Sequence, residues 1–173
     1  VATHGPELMN LAVANQVSYL FEASVGGGIP IIRPLHKCLA ANVILEVTGI
    51  LNGTTNYILT RMEHAGIDFA AALAEAQAHG YAEQNPTADV AGIDACRKIA
   101  ILASIATGEF IDSRQIHTEG ITGITTADMA YARALNAKVK LLGSFRRNDG
   151  QLYSLLVAPM LVDSHQPLAA ADD

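Results

Sequence analysis

Between residues 83 and 98 the chain reads Glu-Gln-Asn-Pro-Thr-Ala-Asp-Val-Ala-Gly-Ile-Asp-Ala-Cys-Arg-Lys, which sets three carboxylates (Glu83, Asp89, Asp94) just ahead of Lys98. Asp94 and Lys98 lie one helical turn apart and share a face. After Lys98 the sequence continues Ile-Ala-Ile-Leu-Ala-Ser-Ile-Ala, apolar all round, so this helix is expected to be buried. A charge beside such a helix is costly unless it is paired with another side chain or with a ligand. The carboxylates can hold an ammonium group, and the lysine can give or take a proton. A surface salt bridge followed by solvated loop acids accounts for the same residues, and on residue types alone the two readings stand level.

Two further segments can bind a ligand. Asn52-Gly53-Thr54-Thr55-Asn56-Tyr57 joins an expected strand to an expected helix. Free N–H groups and the positive helix end favour an anion there, such as a substrate carboxylate; helix capping by Asn52 or Thr54 is the plainer explanation. In Glu22-Ala-Ser-Val-Gly-Gly-Gly-Ile-Pro30, three consecutive glycines let the backbone curl and approach a ligand closely. A dinucleotide fingerprint starting at Gly26 and Gly28 requires a third glycine at position 31, which is Ile31. The segment is therefore either a tight turn or a loop that lines a cofactor or offers carbonyl oxygens to a cation.

The elements expected to position these groups alternate between helix and strand. Residues 6–15 read as a helix with proline in its first turn, 17–24 as a strand, 31–41 as a helix and 43–51 as a second strand. Residues 54–65 form a helix closed by Gly66, and Asp68 caps a helix over 69–79. The longest helix is expected over 88–106, and a short one over 126–135. Strands 138–145 and 151–160 form a hairpin around Asn148-Asp149-Gly150. Residues 163–173 show no strong pattern and read as a tail or an unfinished domain. Together these elements suggest a sheet covered by helices.

Composition excludes several classes. The 173 residues are half hydrophobic and carry a net charge of -6, so the chain needs a sizeable core or a partner. Basic residues occur only in pairs such as Arg97–Lys98 and Arg146–Arg147, which argues against nucleic acid as a partner. No apolar run reaches the roughly 20 residues of a membrane span, and no signal peptide is visible. Cys38 and Cys96 lack metal-ligand spacing and read as reduced cytoplasmic thiols. The histidines form no metal cluster. Val1 is an unusual first residue, so an upstream segment is expected.

The stretches EASVGGGIPI, GILNGTTNYIL, EAQAHGYAEQNPTADVAGIDACRKIAIL, EGITGIT, DMAYARALNAKVKLLG and VAPMLV, in this order and spacing, resemble the homoserine dehydrogenase family along nearly the whole chain. The resemblance implies an α+β fold with a mixed β-sheet covered by helices on one face. It implies that residues 1–16 end a nucleotide-binding domain and that 17–173 form most of a catalytic, substrate-binding domain. It also implies NAD(P)-dependent interconversion of L-aspartate 4-semialdehyde and L-homoserine in threonine and methionine biosynthesis, in a cytoplasmic homodimer. Carried over residue by residue, Lys98 is the proton donor with Asp94 beside it, and Glu83 binds the substrate amino group. Asp89, Tyr81, Gly53 and Thr54 line the substrate. Glu22, Val25, Gly27 and Ile29 hold a monovalent cation, Na+ or K+, through backbone oxygens. Asn85 stands where the family usually has an aspartate. A dinucleotide cradle is missing from these residues, so the chain alone is expected neither to bind nicotinamide nucleotide tightly nor to turn over. A non-catalytic oligomerisation module and a small-amino-acid-binding module are the alternatives.

Overall fold

In a computed structural model, residues 1–148 and 153–172 are described. Four strands, β1 (Glu46–Gly49), β2 (His117–Thr118), β3 (Ala137–Arg147) and β4 (Tyr153–Asp163), form a mixed sheet in the order β1-β3-β4-β2. β3 pairs antiparallel with both β1 and β4, whereas β2 runs parallel to β4. The expected hairpin is present and longer than its sequence pattern, but Asp149 and Gly150 of its turn lie outside the described residues.

Alternation along β3 sends Val139, Leu141 and Phe145 to the face that meets the helices. There they join Val157 and the buried residues of α2 (Gly53–Ala65), α5 (Ile93–Thr107) and α6 (Thr126–Ala134) in one core. The other face carries Leu142 and Val162 and is met by the 3-10 turn Pro167–Ala170, whose Ala169 is fully buried. Helices thus cover one face, as the resemblance implies. The flanking helices are α1 (Gly5–Ala14), α3 (Phe69–Ala78) and α4 (Thr87–Val90).

Four sequence expectations need correction. Residues 17–24 form no strand: the stretch is irregular and ends in a 3-10 turn at Glu22–Ser24. Its aromatic residues Tyr19 and Phe21 stack on each other, with centroids 6.0 Å apart, instead of facing a neighbouring strand. The helix expected over 31–41 is a short turn centred on Pro34–Cys38, widened so that Leu39 N–H donates to the Pro34 carbonyl. The helix expected over 88–106 is broken at Gly92, whose φ of 78° belongs to the left-handed region. Residues 163–172 are not a tail: β4 runs to Asp163, and Asp172 pairs with Lys138 at 2.9 Å.

Candidate active site

The break at Gly92 shapes the site. It supplies Asp89 from α4 and Asp94 from the first turn of α5, and both carboxylates reach one side chain, Asn52. Asn52 caps α2, its Oδ1 accepting the Thr55 N–H at 2.9 Å. Its Nδ2 points the other way and donates to Asp89 Oδ1 at 2.7 Å and Asp94 Oδ2 at 3.0 Å. Asn52 is buried, so both ends of its amide need these partners.

The same Asp94 oxygen meets Lys98 Nζ at 2.7 Å. The ammonium also donates to the Leu51 carbonyl, 2.9 Å away at the end of the segment that follows β1. Two of its three protons are thereby directed, which leaves one for a ligand. The pair is not sealed: the Lys98 and Asp94 side chains keep 23% and 32% of their exposure. The N-terminal end of α5 further favours the Asp94 charge.

The corner between α4 and α5 is held from outside. Ile121 N–H donates to the Val90 carbonyl at 2.8 Å. Gly120 lies so close that a Cβ there would stand 2.2 Å from that oxygen. Asn85 Oδ1 accepts from the Thr87 hydroxyl at 2.7 Å and so steadies the entry to α4.

Thr54 and Tyr81 also come together, the Thr54 hydroxyl donating to the Tyr81 carbonyl at 2.7 Å. The Tyr81 ring stacks on Tyr57 at 4.4 Å. Gly53 opens α2 beside Asn52. Glu83 is exposed; its backbone carbonyl accepts from Gln77 Nε2 at 3.0 Å, and its carboxylate has no hydrogen bond or ion pair among the described residues. Asn52 thus joins Asp89, Asp94 and Lys98 in one bonded network, Thr54 and Tyr81 form a separate pair at the start of α2, and the Glu83 carboxylate belongs to neither.

The Glu22–Ile29 loop sits apart, with Glu22 lining a groove against α1 and the second half of α5. The Glu22 carboxylate accepts from the N–H groups of Ile31, Ile32 and Arg33 at 2.6–2.8 Å. Desolvation opposes its charge, but these N–H groups and the Arg33 charge outweigh that and hold the carboxyl below its usual range. Both cysteines are free, and no group of three or more metal-ligating side chains occurs among the described residues.

The sequence reading treated Asn52 only as a possible cap. Its position at a strand-to-helix junction gave no hint that its amide would bridge two acids about 40 residues downstream. Lys140, fully buried in β3, was not singled out either.

Residues 30–173 match the family model described as homoserine dehydrogenase. The chain belongs to the homoserine dehydrogenase family. The homoserine dehydrogenase of Mycobacterium leprae (strain TN) is 50% identical over 94% of this chain and 38% of its own length. That of Synechocystis sp. is 46% identical over 99% of this chain and 40% of its own. Among solved structures, a homoserine dehydrogenase from Thiobacillus denitrificans superposes with a TM-score of 0.95 at 44% identity, covering 99% of this chain and 40% of that one. A hyperthermophilic archaeal homoserine dehydrogenase in complex with NADPH superposes with a TM-score of 0.80 at 31% identity, over 96% of this chain and 47% of that one. The chain spans about 40% of the length of the curated relatives it matches.

Proposed function

We propose that this chain supplies the substrate-binding and proton-transfer half of a homoserine dehydrogenase, which interconverts L-homoserine and L-aspartate 4-semialdehyde with NAD(P). The observation that carries this reading is the Asp94–Lys98–Leu51 arrangement, which aims an ammonium and leaves one of its protons for a ligand. When bound, a nicotinamide supplies or accepts the hydride at the substrate carbon. Lys98 and Asp94 are partly exposed, so a ligand can reach the ammonium. In the reducing direction Lys98 gives its proton to the aldehyde oxygen as that oxygen gains charge; in the oxidising direction it takes the hydroxyl proton back. Asp94 keeps the ammonium in place. Glu83, whose carboxylate is exposed, receives the substrate ammonium with Asp89 nearby in the chain, and Gly53, Thr54 and Tyr81 line the substrate at the start of α2.

A monovalent cation, Na+ or K+, is proposed at the backbone oxygens of Glu22, Val25, Gly27 and Ile29. One observation fits it. The loop curls so tightly that a Cβ on Gly26 would stand 2.8 Å from the Ile29 oxygen, which turns a carbonyl back into the loop. Residues 1–16, including α1, are read as the end of a nucleotide-binding domain and 17–173 as the catalytic domain. A homodimer is supported by exposed Leu20, Val13 and Leu161. Free cysteines, and the lack of any described helix long and apolar enough to cross a membrane, support a cytoplasmic setting.

The test is an assay of the full-length parent for NAD(P)-linked homoserine oxidation and aspartate semialdehyde reduction. Turnover in both directions is expected; a folded parent that binds homoserine and transfers no hydride would leave only the binding-module reading.

A further inference from the structure

A second buried amine, Lys140, lies outside the site and has no part in the proton transfer. Its side chain is 1% exposed in β3. The ammonium donates to Asn56 Oδ1 at 2.9 Å and Thr60 Oγ1 at 3.4 Å, both buried on α2, and to the Ala171 carbonyl at 2.6 Å. Asp172, its nearest counter-charge, stands at 3.5 Å and is shared with Lys138 at 2.9 Å. Asn56 closes the ring by donating to the same Ala171 carbonyl at 3.0 Å.

An apolar side chain would fill this position without the desolvation penalty of an ammonium. What a buried ammonium adds is a positional requirement: it is satisfied only when α2, β3 and the 171–172 segment stand in one arrangement. The helix it grips is the one that begins the site. Asn56 N–H donates to the Asn52 carbonyl at 3.3 Å, and one turn before Asn56 the Asn52 amide holds Asp89 and Asp94. A bonded line therefore runs Lys140–Asn56–Asn52–Asp94–Lys98.

We propose that Lys140 is a positioning residue for the candidate site: by fixing α2 through Asn56 and Thr60 it sets where Asn52 holds the two carboxylates, and so where Asp94 holds the Lys98 ammonium. The inference rests on the dehydrogenase reading for its kinetic consequence, but not for its structural one.

The experiment compares Lys140→Met with Leu142→Ala in the full-length protein. Leu142 is buried two residues further along the same face of β3, in the small cluster with Val162 and Ala169; its truncation lowers stability through packing without removing a hydrogen bond to α2. Two quantities are read: kcat/KM for homoserine, and amide exchange at Thr55 and Asn56 relative to α5 amides such as Ile99 in the same variant. Lys140→Met is expected to lower kcat/KM about tenfold and to speed exchange at Thr55 and Asn56 about tenfold more than at Ile99, within the range of coupling between bonded neighbours. Leu142→Ala is expected to lower the melting temperature while leaving both ratios within about twofold. Should Lys140→Met not fold, Asn56→Ala, which removes one partner on α2, is expected to give the same pattern. Equal behaviour of the folded Lys140 or Asn56 variant and Leu142→Ala in both readouts overturns the proposal. If the parent oxidises no homoserine, the dehydrogenase reading falls while the exchange difference still decides the role of Lys140.

Discussion

Asn52→Asp separates two accounts of Asn52 by the sign of its effect. Aspartate caps a helix about as well as asparagine, and a negative charge at a helix N-terminus is favourable. If capping Thr55 were the whole role, the variant would match or exceed the parent in stability. The structure predicts the opposite. The cap oxygen would survive, but the group that now donates to Asp89 at 2.7 Å and Asp94 at 3.0 Å would become a third carboxylate. Two like charges at about 4 Å repel by roughly 4 kcal/mol each at an effective dielectric of about 20. Side-chain rotation and solvent relieve much of this, because Asp94 is about a third exposed and keeps Lys98. A net loss of about 2–4 kcal/mol is expected, or a fall of roughly 5–15 °C in melting temperature for a chain of this size. Thermal melts followed by circular dichroism on Asn52→Asp, Asn52→Ser and the parent measure it. Serine keeps a cap without a charge and is expected to fall between the other two. An Asn52→Asp protein that melts at or above the parent temperature would refute the bridging role.

Gly120→Ala would place a Cβ 2.2 Å from the Val90 oxygen and 2.6 Å from the Ala91 Cα, both backbone, so a loss of about 3 kcal/mol is expected in denaturant unfolding. The hydrogen bond from Lys138, against some desolvation, holds the Asp172 carboxyl below its unfolded value of 3.8. A depressed folded value means that this contribution is complete above the unfolded one and fades as pH falls below it. Acid unfolding should therefore be less steep in Asp172→Asn than in the parent, and superimposable acid limbs would contradict the pairing. Glu83→Ala in the full-length protein should raise KM for homoserine with little change in kcat, since the proposed contact with the substrate ammonium would be made in both ground and transition states; an unchanged KM counts against that contact.

Much of the fold was legible where periodicity and caps agreed. Asn52 and Asp68 open α2 and α3, Gly66 closes α2, and α6 stands where a short helix is expected. The reading failed where tertiary partners decided. Residues 17–24 have β-branched and aromatic residues, yet among the described residues no strand stands beside them to complete a ladder, and the aromatic rings stack on each other. Gly92 was visible inside the expected long helix, but only the seating of Gly120 and Ile121 on the corner makes the break specific. Lys138 and Lys140 alternate with apolar residues as a solvated strand face would, and their burial depends on Asn56, Thr60 and Asp172, far away in sequence. At the site, the Asp94–Lys98 pair followed from helical spacing, whereas the Asn52 bridge joins segments about 40 residues apart and leaves no local pattern.

The most direct test of the central claim is steady-state kinetics of Lys98→Ala and Lys98→Arg in the full-length protein, with melts to establish folding. Arginine keeps the charge but is a poor proton donor, and general-acid catalysis contributes roughly 100- to 10,000-fold. Both variants are expected to lose kcat by about that factor while remaining folded. A folded Lys98→Ala protein with the parent kcat and a lowered melting temperature would make the Asp94–Lys98 pair structural and contradict the proton-transfer role.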